Sequence, residues 1–324
     1  MKRFGLQLAL VFIALGFALG AASLIEAAPF HAAKTHGQTL TANQKRAQAL
    51  GALPHPVIFR EVKERGLLVR VWVNETGPYN FAIDTGAGIT LIGNRVAASA
   101  GADRHGSSVS VRGLSGISPS GGAENGRDTI IRTLAVGDAA NLLPANQRAI
   151  VIDNLPSDID GILDPTEAYF PFGCSIDLPN HEMAAFNPKT SPLRINSAPE
   201  GGAVVRWISN GSGRRPFVRL GDGRLALLDT GSGFGLAVSQ DFATAAGRPG
   251  GTGVHDIGGG EVISKRVDPS TVSIGSLILR GVPTDILYGV EKEAPVLLGR
   301  DALYPFRLTF DPVQRLIEIA PPER

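Results

Sequence analysis

The sequence predicts an all-β chain in which one β-rich unit is built twice over. Two observations carry this. From Val57 onward short apolar runs alternate with Gly, Pro, Asn and Asp, the texture of strands and turns. A strand–turn–strand unit ending in Asp-Thr-Gly then occurs twice, with the same kinds of residue behind each copy. The 40 glycines and 22 prolines among 324 residues agree with many turns rather than with a helical bundle.

In the first copy, Leu67 to Asp84 reads as an apolar strand, a polar turn and a second strand ending on the acid. Pro216 to Asp229 has the same form. Asp84-Thr85-Gly86 and Asp229-Thr230-Gly231 close the two units. Each is followed by an apolar stretch and a short Ala-rich segment ending in Ala100-Gly101 or Ala246-Gly247, predicted as one or two helical turns. Gly113 and Gly258 both stand 29 residues beyond their aspartates. Further on, Pro171-Phe172 and Pro305-Phe306 each lead into a predicted strand that ends in Asp177 or Asp311. These strands lie 134 residues apart and the Asp-Thr-Gly triplets 145, so the first copy carries eleven more residues; the polar stretch Pro119 to Arg127 is where we expect them. Asn187 to Gly202 joins the copies. The expected lobes span 57–190 and 203–324.

Ahead of the first lobe, Lys2 and Arg3 precede an apolar run from Leu8 to Leu19 and the small residues Gly20, Ala21, Ala22 and Ser23. This is the pattern of an export signal over 1–28, which directs the chain to the periplasm or outside the cell. The apolar run continues towards Ile25, so an uncleaved membrane anchor is the alternative. Residues 29–56 read as a linker.

Composition excludes several function classes. With a net charge of +1 and no Lys/Arg block, neither nucleic acid nor an anionic membrane surface is an expected partner. Cys174 is the single cysteine; it forms no internal disulfide, and with scattered histidines it makes no metal site, so neither metal nor cofactor is expected. Its expected place is a buried apolar one. Gly231 to Gly235 superficially suggests a phosphate loop but lacks the following helix and lysine. Ser115 and Ser232 have no His/Asp partners for a serine triad.

At the two triplets the chain resembles the pepsin-like aspartic peptidases. Asp84-Thr85-Gly86-Ala87 is similar to the retroviral single-lobe form, and Asp229-Thr230-Gly231-Ser232 to the pepsin form. Val296 to Asp301, Val-Leu-Leu-Gly-Arg-Asp, resembles the segment that packs behind the catalytic loop in retroviral-type enzymes. The likeness runs from about Val57 to Pro321 and is nearest to bacterial retropepsin-like proteins with tandem lobes. It implies two barrel-like lobes about a pseudo-two-fold axis, a cleft between them, and one aspartate from each lobe on its floor. It further implies that Thr85 and Thr230 reach across to the opposite loop, that the Ser232 hydroxyl donates to Asp229, and that Gly113, Leu114, Ser115 and Gly116 form a flap over substrate. One chain then supplies both aspartates and works as a monomer. The first copy departs from the pattern at Gly161-Ile162-Leu163-Asp164, where Asp164 stands in place of the usual glycine and must find partners or solvent.

The chemistry suits those residues. Peptide hydrolysis without a metal or a covalent nucleophile needs an activated water and a proton for the leaving amine. Two adjoining carboxyls cannot both ionise easily, so they share one proton; the ionised one takes a proton from water and the protonated one polarises the carbonyl. Gly86 and Gly231 leave room for a tight turn and for substrate. The expected activity is therefore an aspartic endopeptidase acting on peptide or protein. The rivals are a non-catalytic peptide-binding protein that keeps the fold, and an enzyme dedicated to one partner.

Overall fold

The computed structural model describes residues 53–63, 65–103, 106–112, 123–210, 214–240, 252–255, 261–290 and 294–322. The export signal, most of the 29–56 linker, the Gly113–Gly116 flap, Gly258 to Gly260 and Ala246-Gly247 lie outside them. Among the described residues the chain is mostly strand, with three short helices at Asn94–Ser99, Pro165–Ala168 and Arg300–Leu303. None is long and apolar enough to cross a membrane.

The first hairpin pairs Gly66–Val73 with Thr76–Ile83. Its two loop residues, Asn74 and Glu75, have φ of 47° and 68°. Positive φ at both positions gives a turn whose twist matches that of the flanking strands. The Asn74 side chain fixes the turn from below, accepting from Arg132 N at 2.9 Å and donating to Ala100 O at 3.0 Å. Side chains alternate along a strand. Leu67, Val69, Val71 and Val73 therefore enter the main core, while Leu68 joins Ala82, Leu91, Ile150 and Ile162 in a second cluster on the other face. Burial on both faces is why this strand reads as almost continuously apolar.

The second hairpin pairs Phe217–Arg219 with Leu225–Asp229. Its outer face is covered by a matching cluster of Phe217, Leu227, Phe234, Ala237 and Leu297. The duplication extends to register. In the first lobe Gly161–Leu163 runs parallel to the strand that ends before Asp84, placing Leu163 opposite Ile83. In the second, Val296–Gly299 runs parallel to Leu225–Asp229, placing Leu298 opposite Leu228 and Gly299 opposite Asp229.

Among the described residues the lobes are open sheets rather than barrels, of nine and seven strands. Closure would need each sheet's last strands to return to its first. Instead, the strands after Phe172 and Phe306 leave their lobes for a shared six-stranded sheet, to which each half of the chain gives three strands. At its centre Gly173–Asp177 pairs antiparallel with Arg307–Asp311, Cys174 facing Phe310 and Asp177 facing Arg307. Ile176, Leu308, Phe310, Ile317 and Ile319 are buried there. Cys174 is a buried core residue, its thiol pushed upward in pKa by desolvation. The two halves are thus tied by backbone ladder and core together, which fixes the loops that meet above them.

Candidate active site

Each Asp-Thr-Gly triplet follows directly from a buried strand, so its position is set by the sheet beneath it. Asp84 N donates to Leu163 O at 2.9 Å. Asp84 is 2% exposed, and Asp229, Thr85, Thr230 and Ser232 are fully buried.

The two loops grip each other through their threonines. Thr85 Oγ1 donates to Leu228 O at 2.7 Å and accepts from Thr230 N at 3.1 Å. Reciprocally, Thr85 N donates to Thr230 Oγ1 at 3.1 Å, and Thr230 Oγ1 donates to Ile83 O at 3.4 Å. Both hydroxyls thus satisfy backbone groups of the opposite lobe that would otherwise be buried unpaired, a loss of about 1–3 kcal/mol each.

The glycines serve a purpose other than tight turning. Neither Gly86 nor Gly231 adopts positive φ. A Cβ on Gly231 would lie 2.4 Å from Asp84 Cγ, and one on Gly86 2.9 Å from Asp229 Cγ. Each triplet's glycine therefore clears space for the other lobe's carboxyl, and only its absence of a side chain lets the two acids meet.

Once together, the acids perturb each other unequally. Burial raises both pKa values. Asp84 stands well above the usual carboxylate range, from desolvation first and the neighbouring Asp229 second. Its Oδ1 accepts one backbone N–H, from Gly86 at 2.7 Å. Asp229 is pushed up less, to about 6. Its Oδ1 accepts two, from Gly231 at 2.9 Å and Ser232 at 3.1 Å, and these favour the charged form. Asp84 is the more readily protonated member of the pair.

Ser232 corrects one expectation. Its hydroxyl accepts from Phe234 N at 3.2 Å, and it is the Ser232 backbone N–H that reaches Asp229. The hydroxyl makes no hydrogen bond to Asp229 among the described residues.

Arg300 braces the second loop. From the turn after Gly299 its Nη1 donates to Thr230 O at 2.8 Å and Gly231 O at 3.0 Å. Its charge lowers the pKa of both aspartates. Gly299 is required behind it, since a Cβ there would sit 2.4 Å from Phe234 O. At the corresponding place Asp164 is fully buried and caps the Pro165–Ala168 helix, its Oδ1 accepting from Thr166 N at 2.8 Å and Thr166 Oγ1 at 2.7 Å. Burial and then Glu167 raise its pKa well above the usual range. The demand for partners is met for one oxygen. Oδ2 is enclosed with no hydrogen-bond partner among the described residues.

The structure thus brings together Asp84, Asp229 and their Thr, Gly and Ser neighbours, while the flap residues lie outside the described part. Among the described residues no group of His, Cys, Asp and Glu could hold a metal. His181 is tucked between the rings of Phe59 and Tyr304, at centroid distances of 5.6 and 6.5 Å.

Compared with known proteins, residues 69–163 match the family model of aspartyl proteases. The match supports an aspartic peptidase family and, in general terms, a peptidase hydrolase. It covers the first lobe from its hairpin to Leu163. No curated protein matches the chain.

Proposed function

We propose that this chain, whose first lobe carries an aspartyl protease match, is an aspartic endopeptidase that hydrolyses peptide bonds with water activated by Asp84 and Asp229. The observation that carries the reading is the pair of buried, mutually perturbed carboxyls held in register by the reciprocal threonine bonds.

In the free enzyme Asp84 holds the shared proton and Asp229 is ionised. Asp229 removes a proton from a water bound between them, and that oxygen attacks the peptide carbonyl carbon. Asp84 gives its proton to the carbonyl oxygen as it becomes a hydroxyl. The tetrahedral species then collapses: the C–N bond breaks, the amine takes the proton held by Asp229, and the hydroxyl proton returns to Asp84. No net proton is lost from the pair, so the cycle restarts. Arg300 moderates the charge of the pair without touching the reacting atoms.

The peptide-binder alternative draws little from Asp164, because that residue caps the Pro165–Ala168 helix while Asp84 N keeps its bond to Leu163 O. Both triplets lie in one chain, which supports an active monomer. The leader from Lys2 to Ser23 supports export, with anchoring by the same segment as the alternative. The test is cleavage of a peptide library by the purified protein across pH, beside Asp84→Asn and Asp229→Asn. Cleavage by the wild type that both variants lack supports the proposal; cleavage that survives in either one refutes it.

A further inference from the structure

Each catalytic loop lies against one arginine, and the two arginines come from unequal places. Gly88 and Gly233 stand four residues after their aspartates. A Cβ on Gly233 would lie 3.4 Å from Arg300 Nη2, and one on Gly88 3.1 Å from Arg215 Cγ. Arg300 belongs to the second lobe's own turn behind the loop. The first lobe has none there: with Leu163 opposite Ile83 and Leu298 opposite Leu228, Asp164 corresponds to Gly299 and Pro165 to Arg300.

Arg215 enters from the other copy. Val69 pairs with Phe81, three residues before Asp84, and Val218 with Ala226, three before Asp229. Counting back three from each, Arg215 corresponds to Gly66. Gly66 is itself the place where the first lobe meets the second lobe's arginine, since a Cβ there would lie 3.1 Å from Arg300 Nη1. The boundary is therefore crossed at both equivalent points, by Arg300 against a bare glycine and by Arg215 toward a turn that lacks its own arginine.

The approach is anchored on both sides. Trp207 Nε1 donates to Arg215 O at 3.0 Å. Arg214 N donates to Glu167 Oε1 at 2.8 Å, and its guanidinium pairs with Glu167 and covers the Phe170 ring at 3.7 Å. Thr166 Oγ1, which bonds Asp164, lies 3.2 Å from Arg214 O. Thr166 thereby links the Asp164 cap to the backbone just ahead of Arg215, whose pKa burial lowers and Asp164 raises.

We infer that Arg215 is a positioning residue for the Asp84 loop, supplied across the lobe boundary to the place where the first lobe lacks an arginine, with Asp164 coupled to it through Thr166 and the Arg214 carbonyl. Its effect on turnover rests on the peptidase reading, whereas its coupling to Asp164 does not. The test compares Arg215→Met, Asp164→Gly and their combination, and repeats Arg215→Met in the Asp164→Gly/Pro165→Arg background, which gives the first lobe the second lobe's Gly-Arg pair. Urea unfolding should show the two single losses to be non-additive. On a peptide that the wild type cleaves, Arg215→Met should lower kcat by about tenfold to a hundredfold with KM little changed. The Gly-Arg background should restore most of that loss. Additive unfolding losses, wild-type kcat, a change in KM alone or no rescue would each overturn the inference. Should the wild type cleave nothing, the peptidase reading fails and the unfolding cycle alone decides. If Arg215→Met does not fold, Arg215→Lys, which keeps the charge without the planar fork, takes its place with the same outcomes.

Discussion

Replacing Asp229 with Asn changes how the stability of this fold depends on pH. The unfolded chain releases this proton near 3.8, while the folded protein keeps it up to about 6 because burial disfavours the charge. Between those values the folded state binds more protons than the unfolded one, so stability falls as pH rises. The contribution is whole below about pH 4 and lost once pH passes about 6. A span of roughly two units at about 1.4 kcal/mol each gives about 3 kcal/mol. Asp84 and Asp164, raised for the same first cause, act in the same direction. Urea unfolding of the wild type at intervals from pH 4 to 7 should show falling stability. Asp229→Asn, which has no proton to release and relieves Asp84 of a like charge, should flatten that fall by about 3 kcal/mol or more. A wild type that is equally or more stable at pH 7 than at pH 4, or a variant that keeps the full slope, refutes the argument.

Thr85→Val keeps shape but leaves Leu228 O and Thr230 N unpaired; it should cost about 2–4 kcal/mol in urea unfolding and reduce kcat at unchanged protein concentration. Gly231→Ala requires no forbidden φ, yet its methyl meets Asp84; it should fold with a loss of about 1–3 kcal/mol and lose cleavage, as circular dichroism and a peptide assay would show. Ser232→Ala should lower stability by about 1 kcal/mol through the lost Phe234 bond while leaving the acidic limb of kcat/KM in place, because the backbone N–H that serves Asp229 remains.

The hairpins before Asp84 and Asp229 were legible because short apolar runs bounded by turn residues are local signals, and because each was written twice. The same repetition exposed the strands after Pro171-Phe172 and Pro305-Phe306. Their mutual pairing was not legible: alternation says which face of Gly173–Asp177 is buried, but it does not name Arg307–Asp311 as the partner, and that choice is what leaves both lobes open. The acids and threonines could be named from the triplets. The reason for their glycines could not, because it lies in contacts between residues 143 and 147 positions apart in the chain. Ser232 was misread at the level of one bond, since a sequence cannot say whether a hydroxyl or an amide points at a neighbour. Arg215 carried a faint signal, a charge at the mouth of a strand where the first copy has Gly66, but its target is set only by the register of both sheets.

Whether Asp84 and Asp229 act as one catalytic unit is decided by single-turnover cleavage with Asp84→Asn, Asp229→Asn and the double variant. Groups that act as a unit give grossly non-additive losses. Each single variant should lose nearly all cleavage, the double variant should lose no more, and all three should unfold cooperatively in urea. Near-wild-type cleavage by either single variant, or a double loss equal to the product of the two single losses, would contradict a single unit.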